Sequence, residues 1–299
     1  MIISIQNAKI VTILVNYNGY EDTKACLMSL QEMTIDTSVI VVDNASNNEY
    51  CKQLIGIFPK LTLIESKKNL GFAGGNNLGI KYALKYDIDY IMLLNNDTIV
   101  DKGLLKELMI GITPNTLHVP RMMYYKEKNR VWYAGGNFNK ITGRAIHTHI
   151  NYDLQKGDKR NVNCTFATGC CLLIPIEIIR ECGQLDERYF MYCEDSEFCL
   201  RILSKQKKIR YIGNAVLWHK VSNSTGGNDS LFSVYYMTRN RLLYLMTYKT
   251  YFHFITIPLF FLSRVLRIMQ YWLKDDKERS LVIFLAIRDG IKREYGKRY

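Results

Sequence analysis

Between residues 10 and 97 the chain repeats one unit: a short apolar run, an abrupt polar turn, then apolar residues at helical spacing. Residues 10–15 end in Asn16-Tyr-Asn-Gly19, residues 39–42 in Asp43-Asn-Ala-Ser46, and residues 90–94 in Asn95-Asn-Asp97, with a further short run at residues 61–65. Between them, Thr23, Cys26, Leu27 and Leu30 share one helical face, and residues 54–58 and 80–86 are also helix-like. Runs that are apolar throughout, rather than alternating, suit strands buried on both faces. Strands and helices alternating at this spacing predict an α/β fold, with a mostly parallel central sheet, right-handed crossovers and flanking helices.

Beyond residue 97 the pattern changes. Residues 119–125 and 131–148 are rich in aromatics, glycine and polar residues, with turn dipeptides at Gly135-Gly136 and Thr142-Gly143, which predicts a small β insertion over about residues 119–150. Residues 166–174 read as another core strand, 175–182 as a helix stopped by Gly183, 194–203 as a second helix, and 209–218 as a last strand ending in His219-Lys220. The Ser, Thr, Gly and Asn stretch at residues 223–229 marks a boundary, dividing a domain of residues 1–222 from a helical region of residues 223–299.

The helical region is aromatic and basic. Residues 251–262 are apolar apart from His253 and Thr256, but Arg264 and Arg267 follow, so the segment is too short for a bilayer span of about 20 residues. Two readings remain: amphipathic helices lying on an anionic membrane surface, or a helical pair packed on the core or on a second copy of the chain. The formal net charge of +12 fits attraction to anionic lipid or to a phosphorylated substrate. No recognisable nucleic-acid-binding module accompanies it. Eight cysteines without CxxC or metal-ligand spacing predict free thiols in a reducing compartment. Residues 1–9 lack a basic start followed by a long apolar stretch, so a cytoplasmic protein is expected.

Four polar strand ends, at residues 16–19, 43–46, 95–97 and 219–220, would converge on one edge of a parallel sheet, where ligands bind in such folds. Asp97 reads either as a turn or N-cap residue or as a group that meets a charged ligand. The glycines between Asn69 and Gly79 lack GxGxxG order, and no GxxxxGK[ST] occurs; that stretch serves either a plain turn or a close backbone approach. Glu194, Asp195 and Glu197 crowd one helix start beside Tyr189, Phe190 and Tyr192. The helix dipole favours acids there, and three of them next to aromatics suggest a general base in a partly dry pocket facing a sugar.

The strings Val15-Asn-Tyr-Asn-Gly19, Val41-Val-Asp-Asn-Ala-Ser46, Asn69-Leu-Gly-Phe-Ala-Gly-Gly-Asn-Asn77, Leu94-Asn-Asn-Asp97, Thr168-Gly169, the segment 186–201, His219 and Tyr236-Met-Thr-Arg-Asn240 occur in that order. Through them, over about residues 9–245, the chain resembles the inverting glycosyltransferases of family 2 with the GT-A fold, in the subgroup of bacterial rhamnosyltransferases. The resemblance implies that Tyr17 and Asp43 hold the nucleotide base, with Asn69 and Asn76 near ribose or diphosphate. It extends donor binding to Asn18, Gly71 and Asn96. Asp97 matches the metal-binding acid of the DxD motif, with Asn95 in place of the first Asp and His219 completing the shell for Mg²⁺ or Mn²⁺. Asp195 matches the base, with Glu194 beside it; Thr168, Gly169 and Tyr192 fall on the acceptor side, where the position of Trp132 also puts it. Arg239 and Arg241 read either as diphosphate contacts or as a basic helix face.

The expected activity is metal-dependent transfer of a sugar from a nucleoside-diphosphate donor to a growing, lipid-linked or polysaccharide acceptor at the inner face of the cell membrane. The resemblance favours dTDP-rhamnose as donor, with a UDP-hexose as the alternative. A nucleotidyltransferase would place basic residues in the first polar loop, and residues 15–19 have none. A catalytically silent nucleotide-sugar scaffold would lack the base, which Glu194-Asp195 argues against.

Overall fold

The structure is a computed structural model and describes residues 8–47, 49–153, 160–221 and 230–298. The boundary stretch expected at residues 223–229 lies outside the described residues. The first half follows the repeating unit: β1 (Ile10–Asn16), α1 (Tyr20–Gln31), β2 (Ser38–Asp43), α2 (Gln53–Ile57), β3 (Thr62–Glu65), α3 (Gly71–Ala83) and β4 (Tyr90–Leu94). All five residues of β4 are buried, as its unbroken apolar run requires.

The second half contains β5 (Thr98–Val100), α4 (Leu104–Met109), β6 (Thr116–Tyr124), β7 (Val131–Tyr133), β8 (Gly136–Phe138), β9 (Ala145–His147), β10 (Val162–Cys164) and β11 (Cys171–Pro175). It continues with α5 (Ile176–Cys182), α6 (Glu194–Ser204), β12 (Lys208–His219), α7 (Leu231–Thr247), α8 (Thr256–Leu273) and α9 (Lys277–Lys292). The main sheet has the order β10-β12-β6-β11-β4-β1-β2-β3. Strands β3, β2, β1 and β4 are mutually parallel, whereas β11 runs antiparallel to both β4 and β6, and β12 returns parallel to β6. Two antiparallel pairings in succession restore direction, so β12 points the same way as β4.

Three expectations change. Residues 119–124 lie in β6, a buried strand of the central sheet, so the β insertion starts later, at β7, and includes the β8–β9 hairpin. The glycine-rich stretch is helical from Gly71 onward. A glycine costs a helix about 1 kcal/mol relative to alanine, but a Cβ at Gly79 would stand 2.5 Å from Ile13 and one at Gly75 would stand 2.8 Å from Val15. Bare backbone lets α3 lie close on β1. Finally, the carboxyl-terminal region is not a separately packed unit: Leu242, Tyr244 and Leu245 of α7, with Phe252 and Phe260, belong to the same apolar core as the sheet. All eight cysteines are free thiols, and all but Cys193 are buried.

Candidate functional site

The sheet register sets the site. Asn16 pairs with Asp43 and Asp43 with Glu65, so the ends of β1, β2 and β3 form one line. The Asn16 amide donates to Asp43 Oδ1 at 2.9 Å, while its oxygen accepts from Gly19 N at 3.1 Å and Thr23 Oγ1 at 2.9 Å. That one buried amide ties β1, β2 and α1 together. Asn96 Nδ2 donates to Thr23 Oγ1 at 2.9 Å, joining the end of β4 to the same cluster.

Because β12 runs with β4, its end arrives at this edge. His219 Nε2 lies 3.1 Å from Asp97 Oδ1, and the Lys220 amide donates to the Asp97 carbonyl at 2.9 Å. His219 Nδ1 is buried without a hydrogen-bond partner among the described residues. Trp132 packs edge-on against the imidazole, with ring centroids 4.4 Å apart, and His147 packs on the same indole at 4.9 Å. Two donors about 3 Å apart match neighbouring ligand positions of an octahedral cation with bonds of about 2.1 Å. Among the described residues no group of three or more His, Cys, Asp or Glu gathers around a common point. The residues present therefore fit a divalent cation that takes one carboxylate and one neutral imidazole from the protein, and its other ligands from phosphate and water.

The acids at the start of α6 come next. Asp195 Oδ2 accepts from Gly169 N at 3.1 Å, and Oδ1 accepts from Ser196 N at 2.6 Å and from Ser196 Oγ at 3.2 Å. Burial raises the Asp195 pKa, and these donors pull it back. Glu194 is buried, and its Oε2 has no partner among the described residues. Burial, reinforced by the neighbouring Asp195 charge, pushes its pKa well above the ordinary carboxylate range. Of the pair, Asp195 is the better hydrogen-bonded carboxyl and so the better placed to carry negative charge. Glu197 is committed elsewhere: it pairs with Arg201 at 2.7 Å and accepts from Tyr248 Oη at 2.7 Å. Gly169 and Cys170 link the two halves, since Gly169 N reaches Asp195 while the Cys170 carbonyl accepts from Asn95 N at 2.8 Å. The base candidate and the Asp97 turn hang from adjacent residues of one loop.

On the donor side, Tyr17 is 47% exposed beside the Asn16 cluster. Asn18, with φ of 56°, accepts from Asn47 N at 2.8 Å, and Asn69 Oδ1 accepts from Gly71 N at 2.8 Å. Asn44, not singled out by sequence reasoning, bonds both Asn69 Oδ1 (3.2 Å) and the Gly71 carbonyl (3.0 Å). Thr168 is buried next to Gly169, and Tyr192 is half-buried with its ring 6.3 Å from Phe232.

Three expected donor contacts have other engagements. A Cβ on Gly71 would stand 1.9 Å from the Phe190 carbonyl, so its bareness serves packing against residues 186–193 and not a ligand's approach. Asn76 is buried, donating to the Phe72 carbonyl one turn back at 3.0 Å. Arg239 is 1% exposed and donates to Asn240 Oδ1 at 2.9 Å and the Gly296 carbonyl at 2.8 Å. It lies over Tyr236, and the diphosphate contact expected of it is replaced by these internal bonds. A separate cavity of about 990 Å³, lined by Lys9, Leu30, Asp36, Phe58 and Tyr86, opens at the opposite sheet edge and contains none of the site residues.

The model of the family "Glycosyl transferase family 2" matches residues 12–183. The chain is 27% identical over 241 residues to the low-salt glycan biosynthesis hexosyltransferase Agl10 of Haloferax volcanii, covering 77% of this chain and 73% of that protein. It is 25% identical over 247 residues to the dTDP-rhamnosyl transferase RfbF of Shigella flexneri, covering 80% of each. With the rhamnosyltransferase WbbL of Escherichia coli it shares 24% identity over 234 residues, covering 75% of this chain and 87% of that one. Among solved structures, GalNAc-T7 with UDP, GalNAc and Mn²⁺ aligns with a TM-score of 0.63 at 14% identity, over 80% of this chain and 48% of that one. The mannosyltransferase PcManGT of Pyrobaculum calidifontis, in complex with GDP-Man and Mn²⁺, aligns with a TM-score of 0.57 at 11% identity, over 96% and 88%.

Proposed function

The chain belongs to glycosyl transferase family 2 and has the GT-A fold, and we propose that it is an inverting hexosyltransferase whose base is Asp195. The observation that carries this reading is the loop at Gly169-Cys170, which suspends Asp195 and the Asp97–His219 pair from neighbouring residues. Asp195 removes the proton of an acceptor hydroxyl as that oxygen attacks the anomeric carbon. The bond from that carbon to the leaving diphosphate breaks on the opposite face, inverting its configuration. Burial disfavours charge on Glu194, so the negative charge of the pair is better carried by the hydrogen-bonded Asp195. Asp97 and His219 would hold a divalent cation, Mg²⁺ or Mn²⁺, which when bound supplies positive charge to offset the diphosphate. Tyr17, Asn18, Asp43, Asn69 and Asn96 line the donor side, and Trp132, Thr168, Gly169 and Tyr192 the acceptor side.

The donor we favour is dTDP-rhamnose, supported by two relatives named as rhamnosyl transferases. A UDP-hexose is the second reading, supported by a relative named only as a hexosyltransferase. The acceptor we propose is a growing lipid-linked glycan reached from the inner face of the membrane. Among the described residues no helix is long and apolar enough to cross a membrane. Leu262, Leu266, Met269 and Leu273 form one exposed stripe on α8, each at least half exposed. That helix contains Arg264 and Arg267 and no acid. The exposed Arg267 beside this stripe, and the absence of acids from the helix, suit an anionic lipid surface.

Incubation with dTDP-rhamnose, UDP-glucose and UDP-galactose in the presence of Mn²⁺, followed by NMR of the product, tests the reaction class. Turnover of dTDP-rhamnose with inversion at the anomeric carbon is expected. A retained configuration, or release of sugar 1-phosphate or dTMP through attack at phosphorus, would overturn it.

A further inference from the structure

Arg239 and Asn240 sit in α7, away from the sheet edge, yet both are almost wholly buried, at 1% and 0% exposure. Asn240 Nδ2 donates to two consecutive carbonyls, those of Met191 and Tyr192, each at 2.8 Å. Its oxygen is occupied by Arg239 Nε at 2.9 Å, which fixes which way the amide faces. Arg239 is anchored in turn by the Gly296 carbonyl at 2.8 Å and lies over the Tyr236 ring, 4.9 Å from its centroid.

The two carbonyls belong to an unusual piece of backbone. Tyr192 and Cys193 are consecutive non-glycine residues at φ of 67° and 68°. Such conformations persist only where the surroundings over-determine them. Here the turn ends at the residue whose carbonyl accepts the first bond of α6, from Glu197 N at 2.9 Å. Glu194 and Asp195 follow immediately, so the path of this turn decides where the Asp195 carboxylate stands. The carbonyl just before those of Met191 and Tyr192, that of Phe190, is fixed from the other side, accepting from Phe72 N at 2.9 Å.

We infer that Asn240, oriented by Arg239, is a positioning residue that holds the left-handed turn at residues 192–193 and thereby sets Asp195 against the acceptor hydroxyl. The inference rests on Asp195 being the base. Asparagine suits the role because one NH₂ group reaches two carbonyls while its oxygen takes the arginine. Aspartate has the same shape but would turn oxygen toward both carbonyls.

The proposed donor side lies at the ends of β1, β2 and β4 and at Asn69, whereas Asn240 bonds Arg239, Met191 and Tyr192, so the two functions separate experimentally. Asn240→Ala and Asn240→Asp should each lower kcat about 10- to 100-fold, counted per molecule that binds donor in a calorimetric titration. Donor affinity should stay within about twofold of wild type. A merely structural residue would lower turnover and the number of donor-binding molecules together. Should both variants fail to fold, Arg239→Lys decides: it keeps the charge, loses the planar fork, and should lower kcat several-fold at unchanged donor affinity. Wild-type kcat per binding-competent molecule in the folded variants, or in Arg239→Lys when neither folds, would overturn the inference. Asp195→Asn run in parallel separates the claims. If it retains turnover, the base assignment fails; if it is inactive while the clamp variants turn over normally, only the clamp fails.

Discussion

At the scale of single residues, the proposed chemistry rests on a difference between two neighbouring carboxyls. Glu194 has a raised pKa in the folded protein, from burial and then the Asp195 charge, whereas in the unfolded chain it titrates near pH 4.3. Between those values the folded state binds more protons than the unfolded state, so stability falls as pH rises through that window and levels off above the folded pKa. Glu194→Gln removes this titration. The unfolding free energy of wild type should therefore fall relative to the variant as pH rises above about 4.3, with a slope of up to about 1.4 kcal/mol per pH unit, measurable by urea denaturation; parallel curves would contradict the assignment. The acid cluster itself was legible in the sequence, because three carboxylates at one helix start exceed what capping requires. Which of them is spent on structure was not: Glu197 is taken by Arg201 and Tyr248, partners 4 and 51 residues away. Arg239 misled for the same reason. Its partners Gly296 and Tyr236 make it internal, and a sequence does not display how a tail folds back.

At the scale of elements, polar strand ends were the readable feature, since a buried parallel strand must be apolar along its length and polar where it leaves the sheet. The glycine-rich start of α3 was harder, because glycine disfavours helix locally and only the proximity of β1 explains it. Gly79→Ala tests that explanation. Alanine gains about 1 kcal/mol in helix propensity, but the new methyl meets Ile13, which is wholly buried in a central strand and cannot retreat. Overpacking costs about 1–3 kcal/mol, so the variant should be less stable in thermal denaturation; a stabilised protein would show that α3 does not need its bare face. Strand β6 was mistaken for part of an insertion because its buried residues include Thr116, His118 and Arg121, which break the apolar run. Residues 166–170, expected within a strand, instead form the loop that joins Asp195 to the Asp97 turn.

For the molecule as a whole, the proposed catalytic edge and the carboxyl-terminal helices are one packed body, since α7 contributes to the main core and α9 packs on α7. A surface that holds α8 would therefore hold the site at a fixed orientation. Leu266→Glu, placed in the exposed stripe, should abolish flotation with vesicles containing anionic phosphatidylglycerol and leave turnover of a soluble acceptor unchanged. Wild-type protein that never floats would remove the membrane reading. The cation site has its own test: Asp97→Ala and His219→Ala should each weaken Mn²⁺-supported donor binding by about tenfold or more, and titrations insensitive to Mn²⁺ would count against both residues. The claim on which the rest depends is that Asp195 takes the acceptor proton. It is tested most directly by the single-turnover rate of Asp195→Asn with saturating donor and acceptor. A loss of about 10²- to 10⁴-fold with donor affinity retained is expected of a missing general base, and a rate within a few-fold of wild type would contradict it.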